Sequence, residues 1–409
     1  MFENQFNSIL SNLDEVKTSS AANQTFFKQF KKQVVAIIQK SEHPEQTEKQ
    51  VKDHLTQINL LLENINSTQE NESIKKKIQK LIQQLFNLEL VQALNLNLTG
   101  ISELHLNYHI GDLIILPTTA PNATLCDWMS RDISKLHSTI EKVGNVIKIT
   151  QGPRKHVGIF KNKVILFLPL DYTGFITIRN ESDQIYGANL HSDCMVDITS
   201  ITGNVLLNNF HVKRLQADLT SGNILLTNCQ AQDIHVNTHS GNITTINVKD
   251  TKPDAETLLT STSGNIKLDD FSTNRLVIET KSGNIHAESL FKSDCDFSTF
   301  SGNIKIYNLT NSGNIRSNSG KIKLTLSPNF NEILKVKTIL SPIKITVDDN
   351  FPLQFHAKGK LAAITLPLDA ILFDNSNYDK IDGYLIDEKA SASIYLESEH
   401  GTIDVMTEN

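Results

Sequence analysis

The sequence predicts a mainly β protein: a parallel β-solenoid, or β-helix, of coils about 19 residues long, preceded by an N-terminal α-helical bundle or short coiled coil. Three observations predict it. The phrase Ser/Thr-Gly-Asn-Ile/Val recurs with glycines at Gly203, Gly222, Gly241, Gly264, Gly283, Gly302, Gly313 and Gly320, at intervals of 19, 19, 23, 19, 19, 11 and 7 residues. A fixed period near 20 residues marks repeats in which each unit is one stacked coil. Between the glycines the residues alternate apolar and polar, as in Ile304-Lys305-Ile306, which is the period of a half-buried strand. The first 95 residues are a different material, rich in Gln, Lys and Glu, with no glycine and one proline, Pro44.

Residues 1–95 are expected to be an α-helical bundle or coiled-coil segment. Phe26, Phe30, Val34, Ile37 and Ile38 mark one amphipathic helix. Ser41-Glu42-His43-Pro44 is a helix start signal. Val51, Leu55, Ile58, Leu62 and Ile65 then follow in heptad steps, and Ile74, Ile78, Leu81, Leu85 and Leu88 repeat them after a break at Asn66-Ser67-Thr68. The segment balances eleven Lys against eleven Asp and Glu, so it is not a basic membrane-surface helix.

Residues 96–409 are expected to be the solenoid domain, with regular coils over 203–326 and degenerate coils and caps at both ends. His109-Ile110-Gly111-Asp112 and Gly144-Asn145-Val146 read as early copies of the phrase. His400-Gly401-Thr402-Ile403 reads as a late one, and the segment holding Trp128 reads as a loop or short helix. Atypical end coils are expected where an array must be capped against edge pairing.

Within the regular coils, glycine is expected to supply the positive φ of a tight corner, and the following asparagine to stack into a hydrogen-bonded ladder. The turn ladder comprises Gly203, Asn204, Gly222, Asn223, Gly241, Asn242, Gly264, Asn265, Gly283, Asn284, Gly302, Asn303, Gly313 and Asn314. The inward column two residues past each glycine is Val205, Ile224, Ile243, Ile266, Ile285, Ile304, Ile315 and Ile322. Phe210, Cys229, Val248, Phe271, Leu290 and Leu309 form a second column, and Ala217, Val236, Leu259, Ile278 and Phe297 a third.

The phrases Ser263-Gly264-Asn265-Ile266-Lys267 and Ser282-Gly283-Asn284-Ile285, with Gly111-Asp112-Leu113 and Gly401-Thr402-Ile403 as outliers, resemble the bacterial "putative adhesin" β-solenoid family, a domain of unknown function. The resemblance covers about residues 96–409. A helical segment joined to such a solenoid is similar in architecture to LiaX-type proteins, which implies a link with envelope stress and cationic antimicrobial peptides. The family supplies no catalytic residues.

The residues themselves show little chemistry. Cys126, Cys194, Cys229 and Cys295 have neither metal-ligand nor disulfide-framework spacing, and Cys229 and Cys295 replace core hydrophobes. His235 and His239 alternate outward with Val236 inward, too far apart on a strand to share a metal. No phosphate-binding glycine loop and no repeated acidic column is present, so no catalytic, cofactor-binding or metal residues are assigned. A net charge of −6 disfavours a nucleic-acid groove. The expected function is a non-enzymatic binding or scaffold protein of the bacterial cell envelope, in adhesion or in the response to antimicrobial peptides and envelope stress. Its expected partners are an envelope component, a cationic peptide or another protein, with self-association through residues 1–95. The alternatives are an intracellular structural protein oligomerising through its helices and, third, a β-helix enzyme acting on a polysaccharide. No signal peptide or transmembrane stretch is legible, so the chain is expected in the cytoplasm or at the cell surface by a non-classical route.

The inward and outward assignment is testable. Ile266→Asp should cost several kcal/mol by burying an unpaired charge, whereas Lys267→Asp should leave thermal melting nearly unchanged; equal effects would overturn the assignment.

Overall fold

The structure is a computed structural model that describes residues 88–153, 160–252, 254, 256–291, 293–373 and 379–408. The helical segment expected over 1–95 lies, up to residue 87, outside the described residues. The boundary at 96 needs correction, because Glu89–Leu96 is already a strand, paired antiparallel with Ala123–Met129. That partner is distant in sequence, so local periodicity does not reveal it.

The chain divides into two compact units. The first comprises the described residues up to Thr99, with Ile114–Ser138 and Gly152–Leu170. Its strands Glu89–Leu96, Ala123–Met129 and Asn162–Pro169 pair antiparallel in that order. Trp128 therefore lies in a strand rather than in a loop or helix. Asp127 is buried in this unit and accepts hydrogen bonds from the Ser138 N–H at 2.7 Å and Oγ–H at 2.8 Å. Burial pushes its carboxyl above the usual value, against the pull of those bonds.

The second unit holds the coils, each contributing one strand to each of two parallel sheets. In the first sheet, the strands opening at Ile185, Val205, Ile224, Ile243, Ile266, Ile285, Ile304, Ile322, Ile343 and Ile403 lie side by side in register. Each of these ten residues is buried. The column read from sequence is thus one aliphatic stack, with a single exception, Ile315. In the second sheet Ala217, Val236, Leu259, Ile278 and Phe297 align in register and are buried. Phe210, Cys229, Val248, Phe271, Leu290 and Leu309 are buried as well.

Gly313, Asn314 and Ile315 are not a corner. They lie within the second-sheet strand Gly313–Ser317, with Asn314 opposite Asp296 and Ile315 opposite Phe297. The corner series passes from Gly302 directly to Gly320, and the ladder from Asn303 to Lys321, whose N–H donates to Asn303 Oδ1 at 2.9 Å. Asn314 followed by Ile315 imitates the corner phrase because a half-buried strand also alternates.

The asparagine ladder forms, with a partner the sequence does not show. The backbone N–H of Asn223, Asn242, Asn265, Asn284 and Asn303 each donates to the side-chain oxygen of the preceding asparagine at 2.8–2.9 Å. At the start of the unit Asp112 takes the asparagine's place, accepting from the Gln184 N–H at 3.2 Å.

The glycines serve a purpose other than the one expected. Among the corner glycines from Gly203 to Gly320 only Gly222 has a positive φ, at 156°, close to extended backbone, while Gly111 at the start of the unit has φ 100°. They are glycine because of close approach: a Cβ on Gly241, Gly264, Gly283, Gly302 or Gly320 would fall on the carbonyl oxygen of the glycine one coil earlier. Left-handed backbone occurs instead six residues on, at Asn209, Asn228, Asn247, Asp270, Ser289 and Asn308, with φ of 51–55°. Asn and Asp tolerate that region best.

A buried hydroxyl three residues before the glycine completes the corner. Ser261, Thr280, Thr299 and Ser317 each accept the N–H of their own glycine at 2.8–3.0 Å. Each donates to the carbonyl of the preceding glycine at 3.1–3.4 Å. Leu219 interrupts this column, and its corner is the one at Gly222.

The last coil in sequence is not last in space. Ser393–Ser398 inserts between Ile333–Thr338 and Leu353–Gly359, parallel to both; Lys380–Leu385 follows antiparallel to Leu353–Gly359, and the short strand Ile371–Leu372, antiparallel to Lys380–Leu385, ends the sheet. At the other end Gly144 (φ 62°) turns the connection between Ser138–Val143 and Val146–Gln151, neighbours at the sheet edge, so it too is no coil corner. Antiparallel end strands of this kind protect the array against edge-to-edge pairing. Among the described residues no helix is long and apolar enough to cross a membrane.

The two kinds of glycine separate in a melting experiment. Gly283→Ala should cost more than about 4 kcal/mol, since the obstacle is backbone. Gly313→Ala, whose Cβ would first meet Leu334 Cδ1 at 3.0 Å, should stay within about 1 kcal/mol of the parent.

Candidate functional site

With the corners and core occupied by structure, chemistry is left to the outward residues of the two sheets. In the first sheet the residue after each core aliphatic points outward. From the fourth regular coil these residues are Lys267, His286, Lys305, Lys323 and Lys344, each directly opposite the next, and the column ends at Asp404, opposite Lys344. Strand spacing sets the steps at roughly 4.8 Å, or about 19 Å from end to end. Lys305 lies over the Tyr307 ring with Nζ 4.6 Å from its centre, and His286 meets Glu288 at 2.6 Å. That hydrogen bond is the main cause of a Glu288 carboxyl below its usual value.

The second sheet carries a groove of ≈ 550 Å³ on its outward face, over the strands Gly313–Ser317, Ile333–Thr338, Ser393–Ser398, Leu353–Gly359 and Lys380–Leu385. Register places its side chains in two rows. One reads Asn314, Lys335, Tyr395, His356, Asp382; the other reads Arg316, Lys337, Glu397, Lys358, Lys380. Because the inserted C-terminal coil supplies Tyr395 and Glu397, the site assembles from segments some 80 residues apart in sequence.

Asp382 anchors the groove. Its side chain is only 4% exposed, accepts from Lys380 Nζ at 2.5 Å and lies 3.0 Å from His356 Nδ1. Burial alone would raise its carboxyl; the hydrogen bonds and positive charge of Lys380 and His356 outweigh it and hold the group below the usual value. His356 in turn stacks on Tyr395, with ring centres 4.5 Å apart and planes at 15°. Lys337 pairs with Glu397 at 3.1 Å, and Arg316 with Asp296 at 3.6 Å. Lys335 and Lys358 are exposed and form no ion pair with a described residue.

Of the ladder and column residues named from sequence, Asn314 lines the groove. The four cysteines are buried and unbridged. His235 and His239 point outward, His235 lying 3.4 Å from Asp233. Among the described residues no group of three or more His, Cys, Asp or Glu side chains is placed to hold a metal ion. The cation row was within reach of sequence reading, since it continues the outward column past Lys305; the groove was not.

Residues 101–406 match the family model described as Toastrack DUF4097. No curated protein matches the chain. A crystal structure described as "a putative cell adhesion protein from Clostridium sporogenes" is similar over 78% of this chain and 98% of its own, at 11% identity and a TM-score of 0.19.

The linkage of Asp382 to folding has a definite sign. Its folded pKa is lower than its unfolded value of about 3.9, so its stabilisation is complete above that value and is lost as pH falls through the folded pKa. The melting difference between the parent and Asp382→Asn should therefore be largest near neutrality and shrink below about pH 4.

Proposed function

This chain belongs to the Toastrack DUF4097 family, and from that premise we propose that it is a non-enzymatic binding scaffold of the bacterial cell envelope whose basic outer faces hold an anionic envelope component. The observation that carries this reading is the row Lys267, His286, Lys305, Lys323, Lys344. Like charges set directly opposite one another across strands destabilise a sheet. A solenoid that aligns them over successive coils bears that cost along one line of its surface, and an anionic partner relieves it. The side chains that would support chemistry elsewhere are engaged in structure: the asparagines, the corner hydroxyls and the buried thiols all serve the stack.

Both basic faces favour a polyanion over the cationic peptide that the architectural resemblance suggests, since such a peptide would meet like charge there. Several carboxylates of the second sheet's middle coils are paired with arginine, Asp233 with Arg214 and Glu256 and Asp296 with Arg275, while Asp218 is held by Gln216 and Asn237. Adhesion to an anionic surface is accordingly the finer reading, ahead of peptide capture in a stress response.

Co-sedimentation with purified bacterial cell walls and with anionic and zwitterionic vesicles tests the proposal. The protein should pellet with the anionic wall material and be released by salt. Replacing Lys267, Lys305, Lys323 and Lys344 together by Gln should lower the bound fraction at least tenfold while leaving the melting temperature unchanged or higher. Absence of binding to all three materials would sink the envelope reading.

A further inference from the structure

The groove on the second sheet differs from the first-sheet row in being a built, concave site. We infer that it is a subsite for an acidic sugar residue of an anionic glycan, with Tyr395 as the stacking platform and Lys335 and Lys358 as the anion contacts. The inference rests on the reading of the chain as a binding scaffold.

Three features point to this chemistry. Tyr395 remains 42% exposed although His356 stacks on its ring. A sugar ring offers a face of C–H groups to such a platform, and one open aromatic surface accommodates one ring. The platform is held still, because buried Asp382 fixes His356 and His356 stacks against Tyr395. A binding surface fixed in advance loses less entropy when occupied.

The second feature is the arrangement of charge. Lys335 lies directly opposite Tyr395, while Lys358 lies opposite Glu397, two residues along the strand from Tyr395. These two lysines are the groove's exposed cations without an ion-pair partner among the described residues, so a carboxylate or phosphate on the ring reaches them without breaking an existing pair. Glu397, whose side chain is 42% exposed, adds an acceptor suited to hydroxyl donors, which a sugar supplies.

The third feature is size. A volume of ≈ 550 Å³ falls in the range of small-ligand sites and holds one or two sugar units. A single-stranded nucleic acid would also use aromatic stacking and lysines, but such tracks rely on successive platforms along a basic groove. The lining of this groove offers one, Tyr395, on a chain of net charge −6.

Titration calorimetry on the full chain decides the matter, using tetragalacturonate, maltotetraose as its neutral counterpart, inorganic phosphate and a deoxythymidine tetramer. Tetragalacturonate should bind with an affinity that falls as salt rises. Tyr395→Ala should weaken it about tenfold, and Lys335→Gln with Lys358→Gln by a similar factor. Tyr395→Phe, which keeps the platform, should stay within threefold. All these positions are exposed, and unchanged melting curves confirm that the variants fold. Equal binding of maltotetraose, equal binding of phosphate, tighter binding of the thymidine tetramer, no binding of tetragalacturonate, or a silent Tyr395→Ala would each overturn the subsite. If wall sedimentation persists while tetragalacturonate fails to bind, the subsite alone falls; loss of both removes the scaffold reading as well.

Discussion

Successive coils approach one another at the glycine corner more closely than a Cβ permits, and the rest of the solenoid is built around that contact. At Gly241, Gly264, Gly283, Gly302 and Gly320 the space a side chain would need is filled by the previous glycine's carbonyl oxygen. The approach brings the buried hydroxyls of Ser261, Thr280, Thr299 and Ser317 within reach of two glycines at once, one in their own coil and one in the coil before. It also brings each asparagine oxygen to the next coil's amide. Polar groups that would be costly to bury unpaired become the link between coils. The aliphatic stack from Ile185 to Ile343 then follows in register, because the corners fix which residue opposes which.

This division of labour leaves the outer faces free to differ. Inward, each coil repeats the last; outward, the first sheet changes from Leu206 and Leu225 to lysines, and the second ends in a groove with its own fixed network. The inserted C-terminal coil matters most here. By entering between two earlier coils it places Tyr395 beside His356 and Lys335, residues that no regular progression of repeats would bring together.

How much of this was legible in the sequence follows from range. The period, the parallel register and the three apolar columns were readable because each coil repeats the same local pattern at the same step. Ile315 imitates the corner column because strand alternation and the corner phrase look alike over three residues, and the partner strand separates them. Glycine at a corner suggests positive φ, whereas from Gly241 to Gly320 close approach requires it, and the left-handed residues are Asn209 and its successors. That second column shared the same 19-residue period and was there to be read. The strand at Glu89–Leu96, the inserted coil and the groove depend on pairing between distant segments, which local periodicity does not encode.

The claim that the corners join the coils can be measured directly by native-state amide hydrogen exchange at Asn223, Asn242, Asn265, Asn284 and Asn303. These residues are solvent-exposed, yet each backbone N–H is bonded to the preceding asparagine's side chain. The account predicts protection approaching that of the buried core strands. Exchange as fast as at the exposed turn residues Asp349 and Asn350 would contradict it.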